Sequence, residues 1–439
     1  MSTELIGALG LVLIFLIGTV SSVNLGALAL VASFVVGMGL AGESLETVLT
    51  GFPPSMFLTL FGVTYLFGIA TGNGTVEWLV DSCTRLVRGN RVMLPLLVFV
   101  IAAVPTALGA AGPAIVAIIV PLAIRIALQN RLSPYLLGLL VVHGTTAGGF
   151  SPINLGGVIL NGTLERGGID TSPMVIFASS FAYNLALGVV LFLVFGGRQI
   201  WRDRHEAAGV DDSQGGAAAG PTCGTGTGSV ATATTTATEV RRESLDLART
   251  LTLVAFLALA VLSIAFDLDV GMLAVCEAVL LQLVFPTSSG NALAKVAWEV
   301  VLLICGILTY VATLERIGTV DMLGDSIGKL DSPLVAALLV LVVAGLVSAF
   351  ASTFGTIGAM VPLSLPLLAT GEIGVVGLAI ALAISSSVVD SSPFSTNGAL
   401  LVAATPKDRQ AEAYRILLMW GAAMVLTAPV ATWLIFVVA

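Results

Sequence analysis

Gly74-Thr75-Val76-Glu77-Trp78-Leu79-Val80-Asp81-Ser82 returns as Gly318-Thr319-Val320-Asp321-Met322-Leu323-Gly324-Asp325-Ser326, 244 residues further on. The echo continues in order on both sides. Thr64-Tyr65 recurs as Thr309-Tyr310, Val120-Pro121-Leu122 as Val361-Pro362-Leu363, and Ser151-Pro152 as Ser392-Pro393, at spacings of 241 to 245. One dipeptide match is noise. Four collinear matches at a nearly constant spacing predict a chain built twice.

Both copies are apolar. Hydrophobic residues make up 57% of the 439 and charged residues 10%, against about 25% charged in a soluble domain. The apolar residues fall into runs such as Ile6–Val20, Leu25–Ala41, Val175–Phe195, Thr252–Phe266, Val335–Phe350 and Met419–Val438. Runs near 20 residues match a hydrocarbon core of about 30 Å. In lipid every backbone polar group needs a partner within the protein, so the runs read as helices. The first run does not read as a cleaved signal, because Met1-Ser2-Thr3-Glu4 carries no positive charge ahead of it. The four cysteines are scattered, with neither metal-ligand spacing nor a disulfide framework.

The expected fold class is an all-α polytopic membrane protein of two inverted five-span repeats, each with a re-entrant hairpin and a broken helix. Residues 1–197 are read as the first transmembrane repeat and 248–439 as the second, inverted one. Between them, 198–247 is read as a cytoplasmic disordered linker: basic at its ends (Arg198, Arg202, Arg204, Arg241, Arg242) and Gly/Ala/Thr-rich from Gly215 to Thr238, it cannot bury a core. In the first half, spans are expected near 5–21, 24–41 and 54–72, an amphipathic segment at 75–90, a hairpin over 92–128, a broken span over 134–160 and a last span at 173–196. The second half repeats this at 248–266, 269–286, 297–314, 318–330, 333–369, 373–404 and 413–437. The hairpins are inferred from Gly109-Ala110-Ala111-Gly112-Pro113 and Ser352-Thr353-Phe354-Gly355-Thr356, each in the middle of a stretch too long for one span. Five crossings per half invert the second half. With the N-terminus outside, 15 of the 18 Lys and Arg residues fall on the cytoplasmic side and 3 (Arg166, Arg316, Lys329) outside, as the positive-inside rule requires. Both termini are then outside.

Broken helices in paired repeats place a binding site near the midplane, because a break exposes N–H groups that favour anions and carbonyls that favour cations. The expected binding shell is Gly109 and Gly112 at the first tip; Thr145, Thr146, Ser151 and Asn154 in the first broken span; Ser352, Thr353 and Thr356 at the second tip; and Ser392, Ser395, Thr396 and Asn397 in the second broken span. Uncharged oxygens of this kind suit Na⁺, so tips and breaks are candidate sodium sites. The competing reading is that the Ser and Thr side chains only cap broken helices or bond back to carbonyls. Asp390 is either a coupling group, since a charge at that depth is expensive, or a cap ahead of Ser391-Ser392-Pro393. His143 is either a substrate or proton ligand or a hydrogen-bonded core histidine. No Walker motif, dinucleotide fingerprint or metal cluster is visible, so no cofactor beyond a coupling Na⁺ or H⁺ is expected.

At these residues the chain resembles the ion transporter superfamily that includes the divalent anion:sodium symporters. In that family each tip carries Ser-Asn-Thr ahead of an apolar residue and Pro; here Ser352-Thr353-Phe354 precedes Val361-Pro362, and Ala111-Gly112-Pro113 precedes Val120-Pro121. Residues 1–165 look more closely like the malonate/dicarboxylate carriers of the MatC type, through Gly62-Val63-Thr64-Tyr65-Leu66-Phe67, Asn73-Gly74-Thr75-Val76 and Gly148-Gly149-Phe150-Ser151-Pro152-Ile153. The resemblance implies a bacterial-type inner-membrane carrier for a small anionic substrate such as malonate or a C4 dicarboxylate. It implies Na⁺ or H⁺ coupling and a homodimer in the bilayer, and it carries no nucleic-acid or enzymatic role. A cation/proton antiporter, an oxyanion exporter or a passive channel of the same architecture are the rival readings.

Overall fold

The computed structural model describes residues 2–21, 23–85, 93–130, 132–195, 246–266, 268–320, 322, 332–350, 352–369 and 371–438. The expected linker up to residue 245, and residues 321 and 323–330 of the second amphipathic segment, lie outside them.

The described residues are helical, with no strand among them. The first half runs α1 (Thr3–Val20), α2 (Leu25–Ser33), α3 (Leu45–Leu49), α4 (Pro54–Gly72), α5 (Thr75–Arg85), α6 (Leu94–Ala107), α7 (Gly112–Gln129), α8 (Pro134–Gly148), α9 (Leu155–Arg166) and α10 (Pro173–Phe195). The second runs α11 (Leu247–Phe266), α12 (Val270–Val284), α13 (Trp298–Arg316), α14 (Pro333–Phe350), α15 (Thr353–Leu363), α16 (Leu365–Ala369), α17 (Val375–Ser387), α18 (Thr396–Ala404) and α19 (Gln410–Thr432). Seven of the described helices are long and apolar enough to cross a membrane, and six shorter ones are apolar. The protein is thus an all-α polytopic membrane protein.

Local chemistry sets the helix starts. Pro opens α4, α8, α10 and α14, where its missing N–H costs nothing. Asn24 caps α2 by accepting from Gly26 and Ala27 N–H, and Asp269 caps α12 by accepting from Met272 N–H. Asn24 and Asp269 stand at the repeat spacing.

The halves pack by exchange. α2 lies on α13, and α12 lies on α4; α7 lies on α18, and α15 lies on α9. Swapping equivalent helices turns each pair into its partner, as a two-fold relation does. Glycines permit the first two crossings. A Cβ on Gly306 of α13 would collide with the carbonyl oxygen of Gly26, and a Cβ on Gly62 of α4 would come within 2.6 Å of the carbonyl oxygen of Gly271. Gly26 and Gly271, and Gly62 and Gly306, are repeat equivalents. Small residues at a helix crossing let backbones approach where no hydrophobic force drives association.

Each long apolar stretch folds as a helical hairpin. α6 packs on α7 and α14 on α15. The 14 residues of α6 extend only about 21 Å at 1.5 Å each, short of the hydrocarbon core. Gly109, at φ +105°, makes the first turn in a conformation that L side chains rarely adopt.

Candidate functional site

The two tips and the two breaks converge on one cavity of about 600 Å³. Of the residues expected at the site, Gly112, Thr145, Thr146, Asn154, Ser352, Thr353, Asp390, Ser395, Thr396 and Asn397 line it. Gly109, Ser151, Thr356, Ser392 and His143 do not. Each of these five is occupied elsewhere. Gly109 turns the hairpin. Ser151 Oγ donates to Ala107 O at 2.5 Å, locking the first break to the first tip. Thr356 Oγ1 bonds back to Ser352 O at 3.0 Å, and buried Ser392 packs under Gly421. His143 is held by α10 and α19: its Nδ1 meets Asn184 Oδ1 at 3.0 Å, and Trp420 Nε1–H donates to its Nε2 at 3.0 Å. Since Nε2 accepts from Trp420, the ring proton sits on Nδ1 and goes to Asn184. Both ring nitrogens are thus engaged away from the cavity.

Capping also claims part of the shell. Asn154, Ser352 and Ser395 accept from Gly156, Gly355 and Gly398 N–H at the starts of α9, α15 and α18. Asn154 does more: its Nδ2 donates to Thr106 O at 2.7 Å and Ala110 O at 3.0 Å. It therefore holds the carbonyls of the first tip.

The side chains left to face the cavity cluster around the second break. In the 3₁₀ turn Val388–Ser391, Asp390 caps no helix; its Oδ1 accepts from Thr353 Oγ1 at 2.7 Å, tying the second break to the second tip. Behind that pair, Ser348 Oγ donates to Ser386 O at 2.6 Å. Asn397 is 7% exposed, and its Oδ1 has no hydrogen-bond partner. A buried amide oxygen without a partner costs about 1–3 kcal/mol, so it marks a place where a donor or a cation belongs. Opposite stands the first tip. α7 starts at Gly112 with no side-chain cap, and its positive dipole end faces the cavity through Gly112 and Pro113. A Cβ at Gly112 would lie 3.7 Å from Thr145 Cβ and 3.8 Å from Asn397 Nδ2, so the three residues form one floor drawn from both halves.

Several lining residues are not among those expected at the site. Asn24 and Glu299 enter from the ends of α2 and α13, joined by Asn24 Nδ2 donating to Glu299 O at 3.2 Å. Phe150, Phe350, Phe354 and Phe394 add aromatic surface. Among the described residues, Asp390 and Glu299 are the charged ones in the lining, and neither Lys nor Arg is there. The cavity therefore favours cations, and an anion enters it only with its charge offset by helix ends, bound cations or protons.

Residues 1–149 match the family model described as the dicarboxylate carrier protein MatC N-terminus. This chain is a membrane transporter. The match covers most of residues 1–165, where the MatC resemblance was read, ending inside the motif Gly148–Ile153, and it points to a carrier, not an enzyme, of a kind that needs no cofactor. Among solved structures, the transporter resembles the YdaH transporter of Alcanivorax borkumensis, at a TM-score of 0.56 and 13% identity, over 88% of this chain and 87% of that one. At that identity the likeness speaks for the fold. Comparison with curated proteins finds no match.

Proposed function

We propose that the transporter is a secondary carrier that moves a small dicarboxylate, malonate or a C4 relative, coupled to Na⁺ or H⁺. The observation that carries this is the cavity floor. The uncapped start of α7 offers an anion its dipole end, while the unpartnered Asn397 Oδ1 and the Asp390 carboxylate offer a cation its ligands. Without a basic side chain in the lining, a dianion and its coupling cations stabilise one another there, which makes their movement obligatorily joint. Residues 1–197 and 248–439 act as inverted halves moving about this shared cavity, in an inner membrane, with the linker cytoplasmic, both termini outside and two copies assembled. The rival with support in the geometry is a cation/proton antiporter, since Asp390 and Glu299 suffice for cations alone.

Uptake of radiolabelled malonate into proteoliposomes under an imposed Na⁺ or H⁺ gradient tests the proposal. Wild-type protein is expected to concentrate malonate until an ionophore collapses the gradient, and Asn397→Ala to lose most of that uptake. Folded protein that moves neither malonate nor a C4 dicarboxylate, but exchanges cations for protons through Asp390, would establish the antiporter instead.

A further inference from the structure

The cavity is larger and more aromatic than a bare short dicarboxylate uses. About 600 Å³ lies within the ~300–1,000 Å³ of sites that enclose drug-sized ligands, and a three-carbon diacid fills a small part of it. Its polar groups gather on the floor at Gly112, Thr145, Asn397 and Asp390. Another part of its wall is apolar, built from Phe350, Phe354 and Phe394 with Leu25, Val300 and Leu303.

The repeat shows that two of these rings are not required by the fold. At the spacing of 241, Phe350 stands where the first half has Gly109, and Phe394 where it has Ile153. The first-half pair touches, a Cβ on Gly109 lying 3.4 Å from Ile153 O, and Ile153 is buried. The second-half pair touches too, with ring centroids 5.6 Å apart and planes inclined by 36°. There, however, each phenylalanine is 53% exposed. The edge of Tyr414 holds Phe394 from the other side, at 6.2 Å and 85°. The same hairpin–break contact is thus made by a glycine and a buried isoleucine in one half, and by two half-bare aromatic rings in the other. Exposed aromatic surface beside a polar floor is surface awaiting an apolar ligand group.

Resting on the carrier reading, we propose that Phe350 and Phe394 form a subsite for an apolar substituent, so that the preferred substrate is a dicarboxylate bearing a hydrocarbon or aromatic group rather than malonate itself. The carboxylates sit on the floor and the substituent lies against the Phe350–Phe394 pad.

Direct binding separates the possibilities without requiring transport. Purified wild-type protein is titrated calorimetrically in Na⁺ buffer with malonate, methylmalonate, butylmalonate and benzylmalonate. Kd is expected to fall along the series, reaching about tenfold tighter for benzylmalonate than for malonate, the scale of one good aromatic contact. Phe394→Leu and Phe350→Leu are expected to erase most of that gain, with thermal unfolding in detergent near the wild-type temperature showing that the variants are folded. Malonate binding with flat or weakening affinity along the series overturns the subsite and leaves the carrier reading standing. Binding of none of the four acids overturns both. A benzylmalonate advantage that survives both substitutions places the substituent elsewhere and overturns the assignment to these rings.

Discussion

The two broken helices share a backbone and differ in nearly everything that faces the cavity. In both, a glycine in the first turn after the break is forced by the same close approach: a Cβ on Gly157 would collide with Ser151 O, and one on Gly398 with Ser392 O. These are repeat equivalents, so the geometry of the break is conserved between the halves. The chemistry is not. Gly149, Asn154 and Gly156 in the first half stand where Asp390, Ser395 and Asn397 stand in the second, and Gly112 stands where Thr353 does. The first break spends its polar side chains on its own hairpin, Ser151 on Ala107 O and Asn154 on Thr106 O and Ala110 O. The second leaves a carboxylate and an amide oxygen facing the cavity. On the same scaffold, the first break braces its own hairpin and the second leaves Asp390 and Asn397 toward the cavity.

The sharpest way to break this comparison is at Asp390. Asn has the same shape and its Oδ1 still accepts from Thr353, so Asp390→Asn removes only the charge and the exchangeable proton. Gradient-driven uptake is expected to fall about 100-fold or more, the low end of what loss of a positioned proton carrier costs, with the protein's thermal stability in detergent unchanged or raised. Wild-type uptake rates in Asp390→Asn vesicles would move the coupling site off the second break and erase the contrast between the halves.

A smaller effect, opposite in kind for the two halves, is expected from the paired asparagines. Asn154→Ala removes the side-chain donor of Ala110 O and one donor of Thr106 O, which keeps Gly109 N–H, at about 1–3 kcal/mol for the carbonyl left bare. Its signature is a lower unfolding temperature. Asn397→Ala removes an amide oxygen that has no partner to lose, so the apo protein is expected to unfold at or above the wild-type temperature while malonate affinity drops. Thermal unfolding with and without malonate checks both. Equal destabilisation by the two variants would mean that Asn397, too, serves the fold.

The asymmetry explains what the sequence could and could not reveal. The breaks were legible, because Gly109–Pro113 and Ser352–Thr356 interrupt apolar runs that physics otherwise drives into continuous helices, and α6–α7 and α14–α15 turn there. The repeat was legible through the Gly74–Ser82 echo at Gly318–Ser326 and its collinear partners, whereas the paired crossings at Gly26, Gly62, Gly271 and Gly306 show only in three dimensions. Which polar side chain faces the ligand was not. Ser151, Asn154, Ser352 and Asn397 give the same signal of a small polar residue at a helix break, and only the three-dimensional partner distinguishes a cap or strut from a free ligand. Asn24 and Glu299 were missed because they begin ordinary-looking spans; only the packing of α2 on α13 carries them to the cavity. Phe350 and Phe394 were absorbed into the apolar background, since composition does not say which aromatic surface stays bare.

His143 provides the finest test, because it lies on α8, the helix that leads into the first break, yet turns away from the cavity. Its ring crosses that of Trp420 edge-on, at 5.8 Å and 85°, and both nitrogens are engaged across three helices. Asn184 in turn donates to Ser180 O at 3.0 Å, so the chain of bonds ends on backbone and never reaches the cavity. Protonating the ring would put a second hydrogen on Nε2 and break the Trp420 bond, with no carboxylate among its hydrogen-bonding neighbours to stabilise the charge. A residue so placed fastens α8 to α10 and α19. His143→Gln, which can still accept and donate, is therefore expected to lower stability by about 1–2 kcal/mol through imperfect bonds. The pH profile of malonate uptake should keep its shape. A profile that shifts or flattens in His143→Gln, beyond what the loss of folded protein explains, would bring the first half back into the coupling mechanism and end the division of labour between the two breaks.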